Sequence, residues 1–244
     1  MMMIDGAWTG AVTALLAMFL GAAQATETSA PSAAPDEVKF SEAETILWLG
    51  DQLATVTEPT VLTYSFEKSG SFEKGFTDSI VFRVTKLHPD GMKAAAIEFF
   101  TGERRFPIAP EDKTDVNPVL KIYFQGDVYE MNRLTDPDGK ARERWRYFQR
   151  RIKFALVESA TVQPIQIEFD GRKYQGKHIQ FSPFVNDPKR AEFERFADKV
   201  YSVIVSDELP GYLYKLETSV PGEGVGAPPL IHEVLQLKSI TPRK

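Results

Sequence analysis

Six basic side chains crowd into twelve positions of this 244-residue chain: Arg142, Arg144, Arg146, Arg150, Arg151 and Lys153, opposed within the run only by Glu143. At about 100° per residue on a helix, Arg142, Arg146, Arg150 and Lys153 gather on one flank, while Trp145, Phe148, Ile152 and Leu156 take the neighbouring sector. Such a helix lies on an apolar surface and presents guanidinium groups to an anion. Phospholipid headgroups, lipid A phosphates and an acidic partner protein are the candidate anions. The plainer alternative is a solvated flank paired with Asp and Glu elsewhere in an acidic protein.

The remaining chemical inventory is thin. His88, His178 and His232 fall in a turn and two strands, and none belongs to an H-x-x-x-H pair or stands beside a G-x-S-x-G. Gly222, Gly224 and Gly226 are spaced like a phosphate cradle, but no Lys-Ser/Thr follows and Pro228-Pro229 forbids the helix that would complete it. Asp136-Pro137-Asp138-Gly139 fails the calcium-loop register, with Leu134 where the first ligand belongs, and reads as a turn. The chain has no Cys, which excludes disulfides, Cys-ligated zinc, iron-sulfur clusters and thiol catalysis. No metal, no cofactor and no catalytic activity are expected, although a hydrolase using Asp, Glu or His stays open because carboxylates can converge in space. A formal charge of −5 gives no bulk electrostatic reason to expect nucleic acid as a partner.

The N-terminal residues supply an address. Ala11 to Leu20 is an unbroken run of apolar and small residues, and Ala23-Gln24-Ala25 is an A-x-A cleavage site, so residues 1–25 read as a signal peptide cut after Ala25. Asp5 is the only charged side chain of that stretch, where a Lys or Arg is usual. The alternative is a retained anchor, but Trp8 to Ala25 is 18 residues, short of the roughly 20 that span a bilayer. Export to the periplasm is expected, with a mature form of 219 residues that does not span the membrane. Residues 26–39 are rich in Ala, Ser, Thr and Pro and read as a flexible linker, leaving 40–244 as one domain.

The elements that must position any site follow from periodicity. Ser41 and Glu44 form a capping box, after which Ile46, Leu49 and Leu53 fall at helical spacing. Leu62, Tyr64 and Phe66, then Ile80, Phe82 and Val84, alternate as strands; His88-Pro89-Asp90-Gly91 turns the chain into a partner strand from Met92 to Phe100. Residues 101–116 form a polar, Pro-punctuated loop whose length makes it either mobile or functional. Asn117-Pro118 starts a helix carrying Leu120, Phe124, Val128 and Met131, although Gly126 weakens it; a second helix runs from Ala141 to about Glu158. Ile165, Ile167 and Phe169 lead into the hairpin Asp170-Gly171 and a return strand, Arg172 to Phe181. Asp187-Pro188 begins a fourth helix with Phe193, Phe196, Ala197 and Val200 inward, and three strands close the chain: Tyr201 to Val205, Tyr212 to Val220 and Leu230 to Ile240. The fold class is α+β: a curved, half-barrel-like antiparallel sheet of about eight strands with about four helices on its concave face.

An opening helix, a hairpin-rich sheet and helices inserted between two sets of strands resemble the periplasmic lipoprotein-localisation carriers of the LolA/LolB type. The likeness covers Phe40 to Ile240, with Tyr64-Ser65-Phe66-Glu67 on the first strand and Trp145, Phe148 and Ile152 on the helix that would fill the barrel mouth. It rests on element order and carries over no binding residue. It implies a half-open barrel that holds lipid chains against helices packed in its concavity.

The expected function is that of an exported, non-enzymatic binding protein for an apolar or lipid-like ligand. Facing direction puts Phe82, Phe100, Trp145, Phe148 and Phe169 in its lining, with Arg146 and Arg150 at the rim. The alternative is an envelope scaffold that binds a protein partner through the basic helix or an exposed strand edge.

Overall fold

Alternation of large apolar and polar side chains from Thr60 onward has its physical outcome in strand β1 (Thr60–Ser69), which buries Leu62, Tyr64 and Phe66 and turns Thr63 and Ser65 away. The computed structural model describes residues 39–243 apart from 137, 140–143 and 225. The expected leader, the linker up to residue 38, and Arg142 and Glu143 of the basic run lie outside the described residues. Lys39–Lys244 is a compact unit.

Eight further strands join β1 in one antiparallel sheet: β2 (Phe76–Leu87), β3 (Lys93–Phe99), β4 (Glu111–Thr114), β5 (Thr161–Phe169), β6 (Arg172–Phe181), β7 (Val200–Val205), β8 (Leu213–Val220) and β9 (Ile231–Pro242). Their order is β4-β3-β2-β1-β9-β8-β7-β6-β5. Neighbours in the sheet are neighbours in sequence except where β9 returns to lie against β1, with a register shift between Thr63 and Tyr64. That single pairing joins the N-terminal hairpins to the C-terminal ones. Both margins are blunted against further pairing: β4 offers Glu111, Asp112 and Lys113, and β5 carries Pro164, which has no amide to donate.

Four short or long helices lie with this sheet: α1 (Glu42–Glu44), α2 (Pro118–Thr135), α3 (Arg144–Glu158) and α4 (Arg190–Phe193). The sheet curves around α2, whose side chains reach β1 through Asn117, β8 and β9 through Tyr123, and β6 and β7 through Phe124 and Asp127. Helix α3 packs on α2 and buries Phe148, Ile152, Ala155 and Leu156. One hydrophobic cluster runs beneath both helices from Leu62 and Phe82 to Phe181, Tyr201 and Leu235.

Local signals and outcome agree at the helix starts. Ser41 and Glu44 make both bonds of a capping box, and Asn117 caps α2 with Pro118 at its first turn. Gly126 sits within α2 with no atom near the place a Cβ would take, so the helix tolerates it. Three details differ from the pattern. The opening helix passes after one turn into a wider π-type turn, Thr45–Leu49, which buries Ile46 and Leu47 and leaves Leu49 outside. The fourth helix is only four residues, continued by a 3-10 turn at Glu194–Asp198; Glu194 has φ +49, and Val200 belongs to β7. The ninth strand, β4, comes from the second half of the loop expected at 101–116, where Lys93 pairs with Thr114.

Asn117 ties α2 to three other parts of the chain. Its amide nitrogen donates to the Tyr64 hydroxyl at 2.8 Å and to the Gly211 carbonyl at 2.7 Å. Its backbone amide donates to Gln52 Oε1 at 2.9 Å, while its Oδ1 accepts from Val119. Gly211 has φ +82, and a Cβ there would meet Leu62 Cδ2 at 2.1 Å, so the turn between β7 and β8 can close over β1 only with glycine. Asn117→Ala removes the cap and orphans buried partners. Urea unfolding should show a loss of about 2–4 kcal/mol, against about 1 kcal/mol for an isolated cap.

Candidate functional site

Two arrangements stand out from the packed core. The first is an open groove of about 390 Å³ at the β3 margin, lined by Ile97, Arg105, Phe106, Pro107, Ile108 and Ala109. Its floor, Ile97, pairs across the sheet with Phe82, which in turn pairs with Leu62, so the groove opens onto the inward face of the sheet. Its wall is the loop segment 105–109, in which Phe106 and Ile108 are half-buried. Thr101 Oγ1 and the Arg104 guanidinium both meet the Asp78 carboxylate, at 2.9 and 3.7 Å, and Arg104 also covers the Phe76 ring at 4.5 Å. Phe106 donates its amide to the Phe99 carbonyl at 2.9 Å. The loop is therefore pinned at its start and stands off the sheet beyond Phe106.

The second is a chain of charges between α2 and the sheet. Lys199 pairs with Asp127 Oδ1, and the Tyr201 hydroxyl donates to Asp127 Oδ2 at 2.6 Å, all three being buried. Next to them Tyr123 donates to Glu233 at 2.6 Å and touches the Thr218 hydroxyl at 2.9 Å. Lys68 then links Glu233, Glu130 and Glu73, and Arg133 closes the series toward solvent with two bonds to Glu73, at 2.7 and 2.8 Å. Burial alone would pull the Lys199 ammonium down, but the charges of Asp127, Glu233 and Glu130 outweigh it and hold it above the usual lysine range. The same opposition, with Glu130, Glu233 and Glu73 prevailing, raises Lys68. Burial pushes the Tyr123 and Tyr201 hydroxyls well up, and the nearby carboxylates add to it.

The residues singled out by sequence take separate places. Phe82 is fully buried on the strand next to the groove floor, as the cross-strand neighbour of Ile97. Phe100, with φ +65, stacks against Phe66, Phe76 and Phe99 at the start of the loop. Phe148 is fully buried against Phe184 and Phe193; Trp145 lies on Tyr129; Phe169 meets Tyr214. Among the described residues no ring contact joins any two of these five. Arg146 and Arg150 are exposed on α3, over Trp145 and Tyr147 respectively. Other members of the basic run are paired as the plainer reading expects: Arg144 with Glu192 at 3.4 Å and Arg151 with Asp187 at 2.7 Å.

The histidines lie away from the groove. His232 pairs with Glu217 at 2.8 Å on the outward side of β8 and β9, His178 with Ser202, and His88 with the Asp112 carbonyl. Among the described residues no three His, Asp or Glu side chains are grouped to hold a metal ion, and no helix is long and apolar enough to cross a membrane. The ionic chain escaped the sequence reading, but it left a trace. Glu233 stands in the inward phase of β9 with Ile231, Leu235 and Leu237, and Asp127 stands on the α2 stripe three residues after Phe124. Charges at inward positions are the signal.

Comparison with protein families and with curated proteins gives no match to this chain. Among solved structures it is similar to the lipoprotein LppX of Mycobacterium tuberculosis, at 10% identity and a TM-score of 0.32 over 84% of this chain and 98% of that one. LprF from Mycobacterium bovis follows at 9% identity and 0.30, over 83% and 94%. A LolA superfamily protein from Nitrosomonas europaea overlaps at 10% identity and 0.21, over 84% and 95%.

Two outcomes follow from the ionic chain. Asp127→Asn or Lys199→Met each leaves its partner buried and uncompensated, so each should lower unfolding free energy by about 3–5 kcal/mol. Asp127→Asn combined with Lys199→Met should lose less than the sum of the singles by about 1–3 kcal/mol in a denaturant double-mutant cycle. Tyrosines whose folded pKa is raised contribute stability that is complete below the unfolded value and lost above it. The melting temperature should therefore fall as pH rises through about 10, with tyrosinate absorbance of the folded protein lagging behind that of the unfolded chain.

Proposed function

We propose that this chain is an exported, non-enzymatic binding protein whose apolar or lipid-like ligand lies between β3 and the segment 105–109. The observation that carries the reading is the groove itself. Its volume, about 390 Å³, falls within the roughly 300–1,000 Å³ common for small-ligand sites, and Ile97, Phe106, Pro107, Ile108 and Ala109 of its lining are apolar side chains. Arg105 at the lip adds a charge suited to an acidic headgroup.

The hydrophobic effect supplies the affinity. Ile97, Phe106 and Ile108 present carbon to the groove, and an aliphatic chain laid there removes their remaining exposed surface from water. Nothing in this account requires a bond to be made or broken. Phe82 is the cross-strand neighbour of Ile97, and neither it nor Phe100, both expected in the lining, is among the residues that line this groove. Export rests on the residues before 26 and is part of the same proposal.

A fluorescent fatty-acid analogue titrated against the purified chain should bind at one site. Ile108→Glu, a change at a half-buried position, should weaken that binding by about ten-fold or more while leaving the fold intact by circular dichroism. Native mass spectrometry of protein purified from a membrane-containing extract should show an apolar adduct that Ile108→Glu reduces. A chain that takes up neither the analogue nor any adduct would sink the reading.

A further inference from the structure

One residue on the outer edge of β3 has no strand beside it. That edge is met by β4 as far as Ala95, opposite Glu111, and by the loop again at Phe99, opposite Phe106. Ile97 lies between these contacts, and two bonds farther along the strand fix the direction of its peptide groups. The Phe99 carbonyl turns outward to accept from the Phe106 amide at 2.9 Å, while the Phe100 amide turns toward β2 and donates to the Ser79 carbonyl at 3.2 Å. The N–H and C=O of a strand residue point to one side and alternate along the strand, so those of Ile97 point outward with those of Phe99. Facing them is the segment 107–110, four residues where β3 has three, which bows away from the edge. Its Pro107 and Pro110 have no amide, and among the described residues no backbone hydrogen bond joins the segment to Ile97. Ile97 is only 8% exposed, so a donor and an acceptor of a buried residue face the groove that its side chain also lines. Buried peptide groups are almost always paired.

We propose that the ligand of the groove carries a secondary amide with an aliphatic chain on one side and a carboxylate on the other, as in an N-acyl amino acid. The inference rests on the groove reading and narrows it. The ligand carbonyl accepts from the Ile97 amide and the ligand N–H donates to the Ile97 carbonyl, as a neighbouring strand would. A plain fatty acid covers Phe106 and Ile108 but seals the Ile97 donor and acceptor away from water without partners, and that cost falls on its complex alone. A longer peptide strand is disfavoured by the same edge. Strand pairing uses every second residue, and Ala95 and Phe99 are already taken, so the gap holds one amide. Arg105 selects the charge. It is an exposed member of the lining and forms no ion pair among the described residues, whereas its neighbour Arg104 is held by Asp78. Its free guanidinium donors match a carboxylate.

The test compares three ligands of equal length on the purified chain, each below its micelle concentration. N-dodecanoylglycine has the amide; dodecanoyloxyacetic acid has an ester oxygen in place of the N–H; pentadecanoic acid has carbon in place of the whole amide. Calorimetric titration should find the amide about ten-fold tighter than either of the others. Hydrogen exchange at the Ile97 amide should slow by about ten-fold with N-dodecanoylglycine and not with pentadecanoic acid. Arg105→Gln should weaken N-dodecanoylglycine several-fold and leave its methyl ester unaffected, and the position is exposed, so the melting temperature should hold. Ile108→Glu should weaken all three ligands. Equal affinity for the three, each lowered by Ile108→Glu, would overturn the inference and leave the apolar-ligand reading standing. Failure of all three to bind would end both. A preference for the amide with unchanged exchange at Ile97 would put the ligand at another place and overturn the inference as well.

Discussion

A carboxylate and an ammonium taken out of water at the centre of the molecule constrain everything around them. Asp127 on α2 has Lys199 and Tyr201 as partners, and each of the three is buried. Such a pair gains little over a hydrophobic pair of the same shape, because desolvation offsets most of the attraction. Its effect is on alternatives. A one-turn slide of α2 along the sheet, which the oily contacts of Phe124 and Val128 would tolerate, would strand Asp127 and Lys199 without counter-ions. With Asn117 fixing the N-terminal end and Tyr123 bonded to Glu233 in between, α2 is held at three levels by polar contacts that permit one register.

That fixed helix decides where free space can exist. Once α2 and α3 occupy the concavity, the inward residues of β6 to β9 are covered; Val203, Leu216 and Leu235 are fully buried. Helix α2 reaches β1 through Asn117 at its cap and through Glu130, which pairs with Lys68. On β3, Ile97 borders the loop that follows its own strand, and the groove lies between them.

Short-range chemistry was readable in the sequence wherever one residue type has one local use. Ser41 with Glu44, Asn117 with Pro118, and Asp170 with Gly171 mark their elements because capping and tight-turn geometry involve only neighbouring backbone groups. Strand alternation placed Leu62, Phe82 and Ile167 inward for the same reason. The return of β9 to the side of β1 has no such signature, since hydrogen bonding along a strand is the same for any partner. Nor could alternation along β3 show that Ile97 borders the segment 105–109. Phe169 shares an inward phase with Phe82 yet meets different neighbours, because phase fixes the face a residue occupies and not its position along nine strands. The loop at 101–116 was marked by length alone, and length is a property of the site that the sequence does carry.

The wall of the groove would make the proposed binding a substitution rather than a filling. Pro107 and Pro110 have no amide to donate, so the segment beyond Phe106 has little backbone hydrogen bonding with which to anchor itself to β3. What holds it is contact between Phe106, Ile108 and the sheet, and both side chains keep part of their surface in water. An aliphatic ligand offers them the same kind of contact as Ile97 does, with more area and no loss of hydrogen bonds. Exchange of one apolar neighbour for another would be nearly neutral for the loop, and under the proposed function the ligand's transfer from water would supply the driving force. The pinned start of the loop, through Arg104 and Thr101 on Asp78, keeps that exchange local and leaves the register set by Asp127 untouched.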